Sequence, residues 1–430
     1  MGVFHKLIYR IGIQLRNPEI PARLDFLRRS QHWSREKLQK HQATELRRLV
    51  HLAYEQSAYY RALFDANNLR PDDIRSLADL EKIPPTSKAT LLAQRDRIQG
   101  RVAGEKHYHS ETSGSTGKPL VFYRNRTWDA WHNASVFRGL EWHGVEPWDR
   151  NGYLWGYNLS AKQAALTRYF DHLQNRFRLF SYSDDEIEKF CQKLTRATYL
   201  NGYSSMIHEV AKYVERHPEL KSKIQLRFIK GTSEKILPSY QQSAKQAFGR
   251  GIVSEYGAAE AGIIAFECPE GKMHLNMETA IVEECEGKIL VTNLVSDSFP
   301  VIRYELGDVI DVDFETCCPC GRKSHILNEV TGRTGSNIHG DKNIYPSLTL
   351  YYIFKNIAVN HQLILNYQAE QTSKGQIELR IEQHLSDADK RLINVEIDKY
   401  FGRDLHFHLK DGQQLISRTG KTKDFITSLE

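Results

Sequence analysis

The sequence has few cysteines, no long hydrophobic run and little charge imbalance over most of its length. No apolar stretch in the 430 residues approaches the roughly 18 residues of a membrane-spanning helix, which excludes a protein built on such helices. The N-terminal segment is interrupted by Lys6 and Arg10, so it lacks the continuous apolar core of a secretory signal. Six cysteines are too few for a disulfide framework. These absences predict a cytoplasmic protein with reduced thiols.

The composition is that of a folded, globular chain. Hydrophobic residues make up 40% and charged residues 26% of the sequence, and no repeat or low-complexity tract interrupts it. The 59 Lys and Arg against 53 Asp and Glu give a net charge of +6. The first fifty residues hold eleven Lys/Arg and four Asp/Glu, a local charge of +7, so the remainder sums to −1. The basic character therefore belongs to the N-terminus, and we expect no nucleic-acid-binding surface.

The N-terminal segment has the spacing of an amphipathic helix. Its apolar residues recur every three or four positions and so share one helical face: Phe4, Leu7, Ile8, Ile11 and Leu15. One interpretation is a basic helix that lies on an anionic membrane or on a protein partner. The other is a helix packed on its own domain.

Two architectures follow one another along the chain. Residues 35–66 have the spacing of a helix. From about residue 105 to 310, helical stripes such as 187–194 and 207–214 alternate with strand patterns such as 224–228 and 289–291, which predicts α/β layers. The tail predicts a β-β-α-β unit of about 90 residues, in which Ser386 caps a helix that ends at Gly402. The Gly-rich, polar stretch 332–343 predicts the boundary between the two.

The segment TSGSTGKPL, residues 112–120, has the equipment of a phosphate-binding loop. Its glycines free backbone N–H groups, its hydroxyls add donors and Lys118 adds charge. The glycines are three apart and Pro119 follows the lysine, so the loop is not a Walker A motif. A solvated Gly/Ser turn is the alternative interpretation.

Four later segments occur in the same order as in the adenylate-forming (acyl-AMP synthetase) superfamily, whose nucleotide loop the segment 112–120 resembles. They are EYGAAE at 255–260, RYELGD at 303–308, GR at 332–333 and SRTGK at 417–421. Within that superfamily, SGSTGKPL, FPVIRYELGD and CPCGR most resemble the phenylacetate–CoA ligase branch and its relatives in capsule and polysaccharide gene sets. The resemblance spans about residues 75–425.

The resemblance implies an α/β fold with two parts. Residues 1–333 would form a large, multi-layer adenylation domain with a helical, basic start over 1–75, and residues 334–430 a small, mobile α+β lid. The implied enzyme is an AMP-forming ligase that joins a carboxylic acid to ATP, releases pyrophosphate and passes the acyl group to the thiol of CoA.

The same resemblance implies roles for individual residues. Lys421 would reach between the carboxylate and the α-phosphate, and Glu260 would ligate Mg²⁺. Tyr256 would stack on adenine, Asp308 would accept the ribose hydroxyls, and Arg333 would assist at the ribose or phosphates. The implied ATP-binding set is Thr112, Ser113, Gly114, Ser115, Thr116, Gly117, Lys118, Ser233, Glu234, Tyr256, Gly257, Asp308 and Arg333.

The chain departs from the family pattern at two places. Ala259 stands where the family usually has a threonine beside the phosphates, which removes one hydroxyl donor. Gly335 or Ser336 occupies the hinge position that often carries Asp or Lys. A glycine there still leaves the backbone free to rotate.

The pocket for the acid is expected to be lined by Tyr157, Tyr203 and Gly231, with glycine allowing close approach and the aromatic rings forming walls. Aromatic residues at strand ends are equally common in protein cores.

A cysteine and histidine cluster predicts a metal site. Cys268-x5-His274 and Cys318-x-Cys320 together supply four ligands of the kind that bind structural zinc, with Cys317 and His325 as substitutes. Some phenylacetate–CoA ligase relatives resemble the chain in this set. Free buried thiols are the alternative.

Other functions stay open from the sequence. The acceptor could be an amine, as in polysaccharide decoration, instead of CoA. The chain could instead transfer AMP to a coenzyme, or it could be a nucleotide-binding scaffold without turnover. Intact Lys421, Asp308 and Glu260 argue against the scaffold, whereas Ala259 and the altered hinge argue for it.

Overall fold

The protein is described here by a computed structural model. The structure describes residues 2–100, 106–112, 119–154, 161–179, 184–233, 236, 238–285, 288–331, 337–363, 365, 367–413 and 425–429. The chain divides into two units. The large unit comprises Met1–Ser110 and Val121–Arg333, and the small unit comprises Glu111–Leu120 and Thr334–Glu430.

The first part of the chain is helical, and further helices alternate with strands. The α-helices of the large unit are α1 (Gly2–Arg16), α2 (Ile20–Ser30), α3 (Arg35–Gln56), α4 (Ala58–Ala66), α5 (Lys88–Ala93), α6 (Arg95–Ile98), α7 (Arg126–Trp142), α8 (Ala161–Leu173), α9 (Asp184–Leu194), α10 (Ser204–Glu215), α11 (Pro218–Lys221) and α12 (Pro238–Phe248). Short 3₁₀ turns lie at Pro71–Asp73 and Ala78–Lys82. None of the described helices is both long enough and apolar enough to cross a membrane.

Strands β1 to β13 lie in the first three quarters of the chain. They are β1 (Tyr108–Glu111), β2 (Val121–Arg124), β3 (Asn151–Leu154), β4 (Arg176–Arg178), β5 (Tyr199–Tyr203), β6 (Phe228–Thr232), β7 (Val253–Ala258), β8 (Gly262–Glu267), β9 (Met273–Leu275), β10 (Ala280–Cys285), β11 (Lys288–Asn293), β12 (Val301–Asp313) and β13 (Ile326–Thr331).

Eleven of these strands form one mixed sheet in the order β10-β11-β12-β13-β9-β8-β7-β6-β5-β3-β4. Strands β4, β3, β5, β6 and β7 are parallel, whereas β7 pairs antiparallel with β8 and the pairing stays antiparallel to β10. Every residue of β5 is buried, as expected for a parallel strand with a covered sheet. The carboxyl ends of parallel strands meet at one edge, where α/β sheets bind ligands.

The small unit is an α+β structure with its own core. Its later elements are β14 (Asn337–His339), β15 (Ile344–Pro346), α13 (Leu348–His361), β16 (Tyr367–Ser373), β17 (Gln376–Ile381), α14 (Asp387–Phe401), β18 (His406–Lys410) and β19 (Phe425–Thr427). The sheet order is β18-β17-β16-β19, and its core includes Ile353, Leu379 and Ile397. The Ser386 cap is confirmed: its hydroxyl accepts the Asp389 N–H at 3.2 Å, and the Asp389 carboxylate accepts the Ser386 N–H at 3.0 Å.

Three local predictions differ from the structure. The strand expected at 224–228 begins only at Phe228, because 224–227 connect α11 to β6. The long helical pattern after residue 35 divides at Ser57, whose hydroxyl accepts the Tyr60 N–H at 3.3 Å and so caps α4. The pattern of the tail missed α13 and the short strand β19, which pairs parallel with β16.

Candidate active site and metal cluster

The predicted adenine and ribose residues meet on two distant segments. Tyr256 lies near the end of β7 and Asp308 lies in β12, and the Tyr256 hydroxyl donates to Asp308 Oδ2 at 2.7 Å. Gly307, just before the carboxylate, has a φ of +94°, a conformation that favours glycine. The hydrogen bond therefore holds an aromatic ring and a carboxylate side by side.

Glu260 lies in the turn between β7 and β8 and is buried. Its carboxylate accepts the Tyr304 hydroxyl at 2.8 Å, and its carbonyl accepts the Asn293 side-chain N–H at 3.2 Å. A side chain at Gly257 would collide with the Gly262 carbonyl, so the glycine is required by the hairpin itself. Glu260 is thus a carboxylate held in place by β11 and β12, with the hard oxygen donors that Mg²⁺ prefers.

The residues after β6 carry a strained backbone. Ser233 has a φ of +69°, which is uncommon outside glycine. Such positions persist where the surrounding structure holds them, and they cluster at functional sites. Glu234, the next residue of the predicted ATP-binding set, lies outside the described residues.

The base of the predicted phosphate loop is closed by two hydrogen bonds. The Thr112 N–H donates to the Leu120 carbonyl at 3.0 Å, and the Leu120 N–H donates to Thr112 Oγ1 at 2.9 Å. Thr112 is buried, so its hydroxyl serves to join the two ends of the loop. The other residues of the predicted sites that lie outside the described residues are 113–118, Tyr157, Glu234, Arg333 and Lys421.

The two described residues of the predicted acid pocket are tightly packed. Tyr203 is buried at the end of β5. A Cβ at Gly231 would lie 2.6 Å from Ser204 Oγ and 2.7 Å from Ile252 Cγ2. Glycine is therefore needed on β6 for the approach of α10, whatever else it contacts.

Sequence reasoning missed a group of basic residues near β6. Lys230 on β6 donates to Glu255 Oε2 on β7 at 2.7 Å, and both side chains are buried. Burial, followed by the charges of Arg124 and Lys230, lowers the pKa of His132 well below its ordinary value. The Arg124 Nε and His132 Nδ1 atoms are buried and have no hydrogen-bond partner among the described residues. The sequence signal that could have identified this group is a lysine inside the apolar run of β6, and its positive charges are balanced by Glu255 and by Asp129, which lies 4.0 Å from Arg124.

The predicted metal ligands come together. One donor atom each from Cys268, His274, Cys318 and Cys320 lies within 4.8 Å of all the others. The Cys268 and Cys318 sulfurs are 3.7 Å apart, and Cys320 Sγ is 3.2 Å from His274 Nε2. Ligand atoms around a tetrahedral zinc with Zn–S bonds of about 2.3 Å are roughly 3.7 Å apart. The donor set and its spacing therefore fit zinc.

Cys268 and Cys318 each begin a turn of the same type. In Cys-Pro-Glu-Gly the Gly271 N–H donates to the Cys268 carbonyl at 2.9 Å, and in Cys-Pro-Cys-Gly the Gly321 N–H donates to the Cys318 carbonyl at 3.1 Å. Both glycines have positive φ, +70° and +84°. Such i-to-i+3 turns hold the two thiols in matching orientations.

His274 lies on β9, between β8 and β13. Its Nδ1 contacts Ser324 Oγ at 3.0 Å, which leaves Nε2 directed at the sulfurs. Burial, followed by the charges of Arg322 and Arg138, lowers the pKa of His274 to about 4. The imidazole is therefore neutral near pH 7, the form that binds metals.

The pKa values of the three thiols are shifted in different directions. Burial raises the pKa of Cys268, and it raises that of Cys318 to about 12. Burial acts in the same direction on Cys320, but hydrogen bonds from Arg322 outweigh it and lower the pKa of that thiol. A bound metal would displace the remaining thiol protons.

The substitutes named from the sequence are not in this cluster of described residues. Cys317 is exposed, and the His325 ring packs against Phe314 with ring centroids 5.0 Å apart.

Comparison with known proteins gives relatives along most of the chain. No family model matches it. Protein CapK of Staphylococcus aureus is 24% identical over 390 residues, covering 86% of this chain and 84% of that protein. A phenylacetate-coenzyme A ligase of Pseudomonas putida is 25% identical over 418 residues, covering 89% of this chain and 92% of that protein.

A solved structure shares the fold. It is a 2-hydroxyisobutyryl-CoA ligase in complex with 2-HIB-AMP and CoA, with a TM-score of 0.65, 18% sequence identity, and coverage of 92% of this chain and 91% of that one. The α/β fold expected from the sequence is thereby confirmed. The relatives also confirm the resemblance to the adenylate-forming superfamily and its phenylacetate–CoA ligase branch.

Proposed function

We propose that this protein uses ATP to adenylate a carboxylic acid and then transfers the acyl group to the thiol of CoA. The Tyr256–Asp308 hydrogen bond carries the proposal, because it joins the residues that the motifs assign to adenine and ribose. The relatives named phenylacetate-coenzyme A ligase support an AMP-forming ligase and favour a thiol over an amine as the acceptor.

In the first step a carboxylate oxygen attacks the α-phosphorus of ATP. The bond to the β-phosphate oxygen breaks, and pyrophosphate leaves with the electron pair. Two anions must approach one another, so fixed donors and positive charge supply most of the catalysis. Residues 112–118 are assigned to the phosphates and Lys421 to the meeting point of carboxylate and α-phosphate. An ammonium on a flexible stem suits a group that must arrive for only one step.

The carboxylates of Asp308 and Glu260 are assigned different ligands. A carboxylate has about four acceptor sites, so Asp308 can accept ribose hydroxyls in addition to the Tyr256 hydroxyl. Glu260, held by Tyr304, is assigned to magnesium. A magnesium ion bound there would neutralise charge on phosphate oxygens.

In the second step the thiol sulfur attacks the acyl carbon. The bond from that carbon to the phosphate oxygen breaks, AMP leaves and the thiol proton passes to solvent or a base.

We also infer that Cys268, His274, Cys318 and Cys320 hold a structural zinc, since four soft or borderline ligands leave no open position for a substrate.

The test is ATP–pyrophosphate exchange with a panel of aryl, short-chain and hydroxy carboxylic acids. We expect exchange that requires one of the acids and that falls at least about 100-fold in Lys421→Ala, because a charge aligned with the transition state is lost. Lys423→Ala, two residues away, is the matched control and should keep the exchange rate.

ATP binding measured by calorimetry separates the alternatives. Binding without exchange for any acid would favour the scaffold, and exchange that needs no acid but requires another added acceptor would favour AMP transfer to that acceptor. Mass spectrometry of the product distinguishes a CoA thioester from an amide.

A further inference from the structure

Helix α1 exposes an apolar stripe although it is firmly attached. Phe4, Leu7, Ile11 and Leu15 follow one another at three- and four-residue spacing, so they share a face, and each is at least half exposed. The helix packs through the opposite side. The Tyr9 ring contacts the rings of Phe137 and Trp148, with centroids 6.1 and 6.2 Å apart, and Ile13 packs on the same cluster.

Polar contacts fix the end of the helix. Arg16 Nη2 pairs with Asp129 Oδ1 at 3.1 Å, and the Arg16 carbonyl accepts the Tyr108 hydroxyl at 2.8 Å. Asn17, which follows the helix, donates to the Arg126 carbonyl at 2.8 Å. The orientation of α1 is therefore set by specific contacts, and its aliphatic face points outward in that orientation.

A second helix of the large unit extends the surface. Helix α8 lies against α1 and exposes Leu166, Tyr169 and Phe170, which share one face at i, i+3 and i+4. Seven of the ten large hydrophobic side chains that are exposed among the described residues belong to these two helices, each between 50% and 80% exposed. Such a concentration marks an interaction surface more than the scatter of single residues does.

The charged residues of α1 are all basic, although Arg16 is already paired with Asp129. Gly2–Arg16 contains Lys6, Arg10 and Arg16 and no Asp or Glu. Arg10 is exposed on the flank of the helix, with its guanidinium 5.7 Å from the centroid of the Trp148 ring, and the Lys6 ammonium lies 5.1 Å from the same ring. On α8, Asp171 is buried and pairs with Arg178 at 3.0 Å and with Arg176 at 3.4 Å, so its carboxylate is neutralised. A second copy of the chain would meet like charge here, whereas an anionic partner would be attracted.

We propose that α1 and α8 dock the protein on an anionic membrane surface. Phe4, Leu7 and Ile11 enter the boundary between headgroups and acyl chains, and Arg10, which is exposed on the flank of the helix, contacts lipid phosphates. This is the behaviour of a helix that lies in the interface plane, with a basic polar face and an apolar face. The proposal concerns where the enzyme works and does not depend on which acid it activates.

Vesicle co-sedimentation tests the proposal with the full-length chain. Vesicles of phosphatidylcholine alone are compared with vesicles of equal parts phosphatidylcholine and phosphatidylglycerol. We expect wild-type protein to partition at least about tenfold more strongly to the anionic vesicles, and Leu7→Glu/Ile11→Glu to lose this preference, since apolar area and charge attraction both contribute to such binding.

Val395→Glu is the matched control, because Val395 is 60% exposed on α14 of the small unit. It should bind vesicles as the wild type does. Both variants are also checked for an unchanged thermal midpoint. Leu166→Ser on α8, which removes apolar area without changing the charge, should weaken binding by a few-fold.

Any of three results would overturn the proposal. The first is wild-type protein that stays in the supernatant with anionic vesicles, and the second is vesicle binding that Leu7→Glu/Ile11→Glu leaves unchanged. The third is sedimentation equilibrium that shows a wild-type dimer dissociated by that double substitution, which would assign the surface to self-association.

Discussion

The two ends of the β7–β8 hairpin carry different chemistry. At the turn, Tyr256 and Glu260 present oxygen atoms, and both are tied to β12 through Asp308 and Tyr304. At the other end of β8, Cys268 joins a cluster of sulfur and imidazole donors. The six residues of β8 separate the two ends by about 20 Å at 3.3 Å per residue.

Strand β12 shows the same separation. It carries Tyr304 and Asp308 along its length, and the connection to β13 carries Cys318 and Cys320. Carboxylate oxygens suit magnesium and sugar hydroxyls, which bind and leave in each turnover. Thiolates and imidazole suit a metal ion that stays bound to the protein. The comparison supports the proposal that one end of the hairpins handles substrate and that the other end holds the connections together.

The largest effect is expected from a substitution that disrupts only the cysteine and histidine cluster. Cys318→Ser should remove about one equivalent of zinc per chain and lower the melting temperature by about 5 °C or more, because structural zinc binding contributes directly to folding. Metal analysis of protein purified without chelator, together with calorimetry, measures both.

Cys317→Ser is the matched control, since that neighbouring thiol is exposed and outside the cluster. Wild-type protein without zinc, or equal zinc loss in the two variants, would contradict the assignment. Folded Cys318→Ser, assayed at low temperature, should keep most of the wild-type pyrophosphate exchange rate. That result would show that the metal cluster is not required for the adenylation step.

The next effect breaks the substrate end. Asp308→Ala should lower kcat/KM for ATP about 100-fold, because two ribose hydroxyl bonds to a carboxylate are together worth about 3 kcal/mol. Its zinc content should not change. Asp311→Ala, on the same strand, is the control: the Asp311 carboxylate is exposed and accepts an N–H from Asn328 at 3.2 Å. Equal losses in the two variants would argue against a specific role for Asp308.

The smallest effect sharpens the comparison within the substrate end. Tyr256→Phe keeps the ring and removes the hydroxyl that donates to Asp308. We expect KM for ATP to rise about fivefold with kcat nearly unchanged, since one hydrogen bond contributes about 1 kcal/mol. Steady-state kinetics decide; a loss as large as that of Asp308→Ala would mean that the hydroxyl itself contacts the substrate.

Local signals predicted much of the fold. The stripes that end at Leu194 and Val214 mark α9 and α10, and the alternation at 289–291 lies within β11. The pattern failed at 224–227, where apolar residues alternate in a connection, because alternation does not state whether a hydrogen-bonding neighbour is present. The apolar face of α1 was identified, yet the side with Tyr9 is the one that packs.

The sequence by itself determined the chemistry: which residues carry thiols, carboxylates and phosphate-binding hydroxyls, in an order that resembles a family. It also determined local features such as the Ser386 cap, because a cap depends on residues three positions apart. Only the tertiary structure decided that Tyr256 bonds Asp308 and that β9 lies between β8 and β13, with His274 beside three thiols. Those pairings follow from the order of strands in the sheet, which brings together segments about 50 residues apart and which local propensity does not encode.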